Sequence, residues 1–191
     1  MRRSMVWSVV ALVAATMLLL GGLVLLRSGM TTPGQSGAGK ADNGASTSAE
    51  PVDVRPDCPA ADVGGVALPC LGGAVGEGGS AGITVVNVWA WWCQPCREEL
   101  PVIEQFARQH PDYSVVGVHA DRSAAKGAAL LNDLGVGMPS YQDDDNRFAG
   151  ALGLPGVIPV TVVFRDGAKV AVFPRAFRSV DELDRAVAEV V

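Results

Sequence analysis

Charge is scarce in this 191-residue chain: Asp, Glu, Lys and Arg together make up 18% of it, and the net charge is −5. A soluble domain usually carries roughly 25%. The fifteen basic residues are scattered, so there is no basic stripe on which nucleic acid could lie, and partners of that class are excluded. Ligands for a metal are scarce too, with two histidines and four cysteines in all. A zinc site would need a second close pair beside Cys93 and Cys96, and eleven residues separate Cys58 from Cys70, unlike a two-residue zinc knuckle. No metal and no bound cofactor are expected. No internal repeat is present, and the length allows one globular unit of roughly 150 residues plus extras, which excludes a large multidomain enzyme.

Apolar residues, by contrast, reach 49%, and part of that excess is concentrated near the start. Met5 to Leu26 is a run of 22 residues without a charge, which as a helix rising about 1.5 Å per residue reaches about 33 Å. A bilayer core of about 30 Å can be spanned by it. Arg2 and Arg3 precede the run, while Arg27 alone follows closely, an asymmetry that places the N-terminus in the cytoplasm and the rest of the chain outside. The alternative is a cleaved signal peptide. The run exceeds the usual 7 to 15 apolar residues of such a peptide, and Leu25-Leu26-Arg27 is a poor cleavage site. The expectation is therefore a signal-anchor over 1–27, with its membrane helix at about 5–26. Residues 28–57, rich in Gly, Ser, Thr, Ala and Pro, read as a flexible extracytoplasmic linker. The domain proper is then 58–191, acidic, with ten basic against sixteen acidic residues.

Within that domain, Ile83-Thr84-Val85-Val86-Asn87-Val88-Trp89 is nearly continuous in β-branched residues, the pattern of a strand buried on both faces. Pro95 suits a helix start, and Leu100, Ile103 and Ala107 recur at helical spacing, predicting a helix to about Gln109 that Pro101 should kink. Tyr113 to His119 reads as a second buried strand. Ser123, Ala128, Leu131 and Leu134 mark a helix with a weak point at Gly127. Val160–Arg165 and Ala168–Phe173, separated by Asp166-Gly167, predict an antiparallel hairpin. Ser179-Val180-Asp181-Glu182 is a capping box that opens a last helix. A βαβα half followed by a ββα half predicts an α/β thioredoxin-like fold, a central mixed sheet flanked by helices.

Cys93-Gln94-Pro95-Cys96 falls at the strand-to-helix junction. There the helix N-terminus favours a thiolate at Cys93 as the nucleophile, and Cys96, one turn in, is placed as the resolving thiol. The segment from Val85 to Pro101, with its W-C-x-P-C-x-x-E-x-P core, resembles the active-site segment of the TlpA/ResA family of membrane-anchored extracytoplasmic thioredoxin-like thiol–disulfide oxidoreductases. The resemblance extends over about 66–191. It implies that Glu99 relays protons or tunes the thiol pKa values; on spacing alone Glu99 could as well be a solvated first-turn residue. Asn87 stands where ordinary thioredoxins have a buried Asp, which makes Glu99 the better proton acceptor. Pro159 resembles the family's cis-proline, exposing the backbone of Ile158 for strand-like pairing with a substrate near Cys93, although Pro155 is an extra upstream proline. Trp92 and Pro95 complete the expected substrate-binding set.

The resemblance further implies a reductase of disulfides in exported proteins such as apocytochrome c, fed by an integral-membrane thiol donor. The Gln94-Pro95 pair agrees with that direction, because it lacks a histidine to stabilise the Cys93 thiolate strongly. Alternatives are a disulfide oxidase or isomerase of oxidative folding, a thiol peroxidase of the same fold, or a non-enzymatic interaction module. The peroxidase pattern P-x-x-x-T-x-x-C is missing, since Val86 and Ala90 hold its Pro and Thr places. Cys58 and Cys70 lie outside the family's motif. They are expected to form a structural disulfide, with a second redox pair as the alternative. His119 and Asp121 read as a polar loop end, and Asp143-Asp144-Asp145 as the cap of a short helix over Arg147–Leu152.

Overall fold

The structure, a computed structural model, describes residues 50–78 and 82–191. The expected membrane helix at about 5–26 and residues 28–49 of the expected linker lie outside the described residues, among which no helix is long and apolar enough to cross a membrane.

Two faces of one sheet organise the domain. Strands β1 (Asp62–Val63) and β2 (Val66–Ala67) form a small hairpin ahead of the main sheet. The main sheet is built from β3 (Ile83–Trp89), β4 (Ser114–His119), β5 (Ser140–Gln142), β6 (Val160–Arg165) and β7 (Ala168–Phe173), in the order β5-β4-β3-β6-β7. The pairs β3–β4 and β4–β5 are parallel, while β3–β6 and β6–β7 are antiparallel. This is the mixed sheet of a thioredoxin-like fold. Helices α1 (Gln94–Gln109), α2 (Ala124–Asp133), α3 (Arg147–Leu152) and α4 (Val180–Ala188) complete it.

Side chains of β3 alternate between two apolar cores, which explains its unbroken β-branched sequence. Val85 and Trp89 join Leu100, Ile103 and Phe106 of α1, Ala128 and Leu131 of α2, and Leu183 and Val187 of α4. Val86 and Val88 face the other way, toward Phe148 of α3, Val63, Leu68 and Tyr141. Right-handed crossovers from β3 to β4 and from β4 to β5 put α1 and α2 on the same side.

Local signals act as their chemistry dictates. At the β6–β7 turn, Asp166 and Gly167 both have positive φ, 50° and 78°, the conformation a tight two-residue hairpin requires. Asp143 accepts from the N–H groups of Arg147 and Phe148 and so caps α3. Ser179 accepts from the Glu182 N–H, and Glu182 reaches back one residue further, to the Arg178 N–H. Helix α1 runs through Pro101 without interruption.

Three features depart from the sequence expectations. Strand β5 arises from a stretch without strand patterning. His119, expected at a polar loop end, is fully buried at the end of β4, held by Gln142 at 2.9 Å and packed on Trp89. Packing also begins upstream of Cys58: the buried Arg55 guanidinium donates to Asn132 Oδ1 at 2.6 Å and to the Val136 carbonyl at 2.5 Å, so residues expected in the linker lie on the domain.

Candidate functional site

Strand β3 ends at Trp89, and Ala90, Trp91 and Trp92 carry the chain to the first turn of α1. Cys93 is the N-cap of that helix. Its Sγ accepts the Cys96 N–H at 3.2 Å, and Pro95 fills an early helical position where its missing N–H costs nothing. Cys93 and Cys96 are disulfide-bonded. Cys93 is 4% exposed and Cys96 not at all, so an attacking reagent meets Cys93 first. On opening of the bridge, unpaired N–H groups and the positive end of the helix dipole face Cys93, which favours its thiolate.

Glu99 lies one turn beyond Cys96 on the buried face of α1, and it is not the solvated residue that spacing alone allowed. Its Oε1 accepts the Phe177 N–H at 2.8 Å, and its Oε2 accepts from Asn87 Nδ2 at 2.9 Å. Asn87 also donates to Thr161 Oγ1 at 3.3 Å, across the β3–β6 pair in which the two residues are partners. Burial pushes the Glu99 carboxyl above the usual carboxylate range, against the opposing pull of the Phe177 N–H and the Asn87 amide.

The peptide bond between Ile158 and Pro159 is cis, and it leads directly into β6. Ile158 lines a cavity of about 350 Å³ together with Val88, Trp92, Ala120, Leu154 and Val157. Trp92, 56% exposed, forms the rim of this cavity and neighbours Cys93 in sequence. The site residues expected from sequence thus fall into two groups: Cys93, Pro95, Cys96 and Glu99 along the start of α1, and Trp92 and Ile158 at the cavity, with Pro159 following Ile158 at the head of β6.

Cys58 and Cys70 form a second disulfide. It anchors a strap against the edge of β5: Leu71 N–H donates to the Ser140 carbonyl, Gln142 N–H donates to the Pro69 carbonyl, and Cys70 pairs with Tyr141.

Sequence reasoning missed three contributors. Thr161 and the Phe177 N–H reach the Glu99 site from the far end of the chain. Asp121, whose role at the site was not foreseen, accepts from the indole N–H groups of both Trp91 and Trp92, at 3.1 and 3.0 Å, and from the Ser123 N–H. Burial pushes the Asp121 carboxyl up, but those three donors outweigh it and hold it below its ordinary value. Only the Trp-Trp pair ahead of the dithiol hinted that an acceptor was needed there.

A family model described as the AhpC/TSA family matches residues 75–173. Among curated proteins, the thiol:disulfide interchange protein CycY of Rhizobium leguminosarum bv. viciae is 32% identical over 88 residues, 46% of this chain and 36% of that protein. The thiol-disulfide oxidoreductase ResA of Bacillus anthracis is 24% identical over 87 residues, 44% of this chain and 50% of that protein. The chain therefore spans half or less of the length of these relatives. Among solved structures, a secreted thiol-disulfide isomerase from Corynebacterium glutamicum superposes with a TM-score of 0.53 at 29% identity, covering 64% of this chain and 84% of that one.

Proposed function

The chain belongs to the AhpC/TSA family, and we propose that it is an extracytoplasmic, membrane-tethered thiol–disulfide oxidoreductase that reduces disulfides of exported proteins. The observation that carries this reading is the placement of Cys93 as a helix N-cap receiving the Cys96 N–H, with a fully buried partner cysteine and a buried carboxyl one turn further on. The names of CycY and ResA support the same chemistry. The membrane tether rests on the uncharged run Met5–Leu26, and apocytochrome c and an integral-membrane thiol donor rest on the family resemblance.

In the reduced protein the Cys93 thiolate attacks one sulfur of the substrate disulfide, and the other substrate sulfur leaves as a thiolate that solvent protonates. Cys96 then loses its proton, and its thiolate attacks Cys93 Sγ. The Cys93–substrate bond breaks, and the second substrate sulfur departs with the electron pair. The substrate gains two electrons and two protons, and the protein is left with the Cys93–Cys96 disulfide. Exposed Trp92 and the cavity beside Ile158 give the substrate chain an apolar surface next to the exchange.

Thiol peroxidase chemistry finds no support at this dithiol. The positions where that pattern needs Pro and Thr hold Val86 and Ala90, both fully buried and without a hydroxyl.

Insulin reduction by the chain, with Cys93→Ser as control, tests the activity, and absence of turnover sinks it. The reduction potential of Cys93–Cys96 tests the direction: a value of about −120 mV, that of a strong oxidant, would reverse it.

A further inference from the structure

The carboxyl of Glu99 is served entirely by fixed partners. Phe177 N–H holds Oε1 and Asn87 Nδ2 holds Oε2, while the same nitrogen reaches Thr161 Oγ1. Asn87 and Thr161 are fully buried, and Glu99 is 1% exposed. One atom of this set is left over: Asn87 Oδ1 is buried with no partner. This free acceptor belongs to the very amide that secures Glu99, so the amide has a second polar end to offer it.

We propose that Asn87 is a positioning residue for proton transfer at Cys96, holding Glu99 in both of its protonation states by turning its side-chain amide through half a turn. With Glu99 ionised, the NH₂ end faces Oε2, as the structure has it. With Glu99 protonated, the carbonyl end takes that place and accepts the Glu99 O–H. Thr161 fits either orientation, because a hydroxyl can accept from the amide nitrogen or donate to the amide oxygen. The amide therefore keeps a bond to Glu99 and a bond to Thr161 in each state, with no movement of backbone. An aspartate at this place can only accept while ionised, and an aliphatic side chain can do neither.

This inference rests on the oxidoreductase reading for its use. In the resolving step the Cys96 S–H proton passes to the Glu99 carboxylate, and the Cys96 thiolate forms the bond to Cys93 Sγ. The Cys93–substrate S–S bond breaks, its electron pair leaves on the substrate sulfur, and that sulfur takes up the proton Glu99 has held. Glu99 thus changes state twice per turnover, and its partner must suit both states. The groups acting on it are Asn87 on β3, the Phe177 N–H and Arg175 from the loop after β7, and Glu182 on α4; Thr161 on β6 reaches Asn87, and Cys96 lies one turn earlier on the same helix. Burial is the main influence raising its pKa, with Glu182 adding to it, and Phe177, Asn87 and Arg175 opposing.

The test is an infrared titration of the Glu99 carboxyl stretch in the full chain, assigned by its loss in Glu99→Gln, for the wild type, Asn87→Asp and Thr161→Val. Asn87→Asp keeps the shape but sets two carboxyls in one buried site. They cannot both ionise, so the midpoint should rise by about one pH unit or more, about a tenfold change in proton affinity. Thr161→Val removes one bond from both states alike and should move the midpoint far less. In the wild type, the ¹⁵N signal of the Asn87 side-chain amide should shift with the Glu99 midpoint, a readout that needs no variant. Turnover by Asn87→Asp should move to higher pH by the same amount. A flat Asn87 amide signal overturns the proposal. So does an unmoved Asn87→Asp midpoint, a shift in Thr161→Val as large as in Asn87→Asp, or an unmoved turnover profile. A wild-type chain inactive on insulin sinks the oxidoreductase reading instead, and the infrared and ¹⁵N results still decide whether the amide turns.

Discussion

Removal of the Cys58–Cys70 bridge separates a structural staple from a second redox pair. The two cysteines are twelve residues apart in sequence, and closing a loop of that size removes about 9.5 cal/mol/K from the unfolded chain, about 3 kcal/mol at room temperature. The loop contains the β1–β2 hairpin and the buried Leu68, and its end covers the edge of β5 through the Leu71, Gln142 and Cys70 pairings. Once the staple is gone, the strap must hold that edge by its own contacts. Cys58 is buried and Cys70 half-buried, so Cys58→Ala with Cys70→Ser is the mildest replacement. Urea unfolding of the oxidised proteins should show a loss of about 3 kcal/mol, a large share of the roughly 5–15 kcal/mol typical of a domain. Thermal unfolding should fall by about 10 °C. Insulin turnover at a temperature where both proteins are folded should be unchanged, because the proposed exchange at Cys93 and Cys96 does not pass through this bridge. A stability loss below about 1 kcal/mol refutes the loop argument. Lost turnover with stability intact would make Cys58 and Cys70 participants in the electron path.

Four further outcomes follow from the packing. Gly127→Ala should destabilise by about 1–2 kcal/mol despite the better helix propensity of alanine, because its Cβ would come within 2.7 Å of the His119 ring, which Gln142 and Trp89 hold in place. Gly150→Ala in α3 meets nothing within 4 Å and should stabilise by a few tenths to about 1 kcal/mol; equal effects in the two urea curves would contradict the steric account. Glu99→Gln should change the pH dependence of stability. Burial raises the folded pKa of Glu99, so its contribution is full below the ordinary carboxylate value and is lost as pH rises through the raised one. The variant should therefore gain on the wild type across that window, by about 1.4 kcal/mol for each pH unit between the unfolded and folded values; parallel stability curves would refute it. Asp121→Ala frees both indoles and should raise KM for a protein disulfide roughly fivefold, about 1 kcal/mol, with kcat little changed and a red shift in tryptophan emission. A fall in kcat at constant KM would place Asp121 in the chemistry instead.

What could be read in the sequence was whatever the chain settles locally. Ile83–Trp89 is legible because burial on both faces leaves no polar alternation, and Cys93 to Cys96 because the spacing and the helix start belong to one turn. β5 was not legible: Ser140, Tyr141 and Gln142 have no strand pattern and become a strand because β4 offers pairs on one side and the stapled strap on the other. His119 looked like a loop end because only the fold places the side-chain-free Gly127 against its ring. Arg55 looked like linker because its acceptors, the Val136 carbonyl and Asn132, lie about eighty residues away.

The same distinction divides the site. The dithiol is written in adjacent letters, whereas the environment of Glu99 is assembled from a neighbouring strand, β6 and a loop 78 residues on. A helix position does not say which face is buried, so two roles stood open for Glu99 on spacing alone. The Phe177 N–H decides between them. It supplies a fixed donor inside the protein, so a carboxyl can be kept there at tolerable cost. It also leaves the second carboxyl oxygen to Asn87, whose amide nitrogen completes the pair of donors that hold the carboxyl.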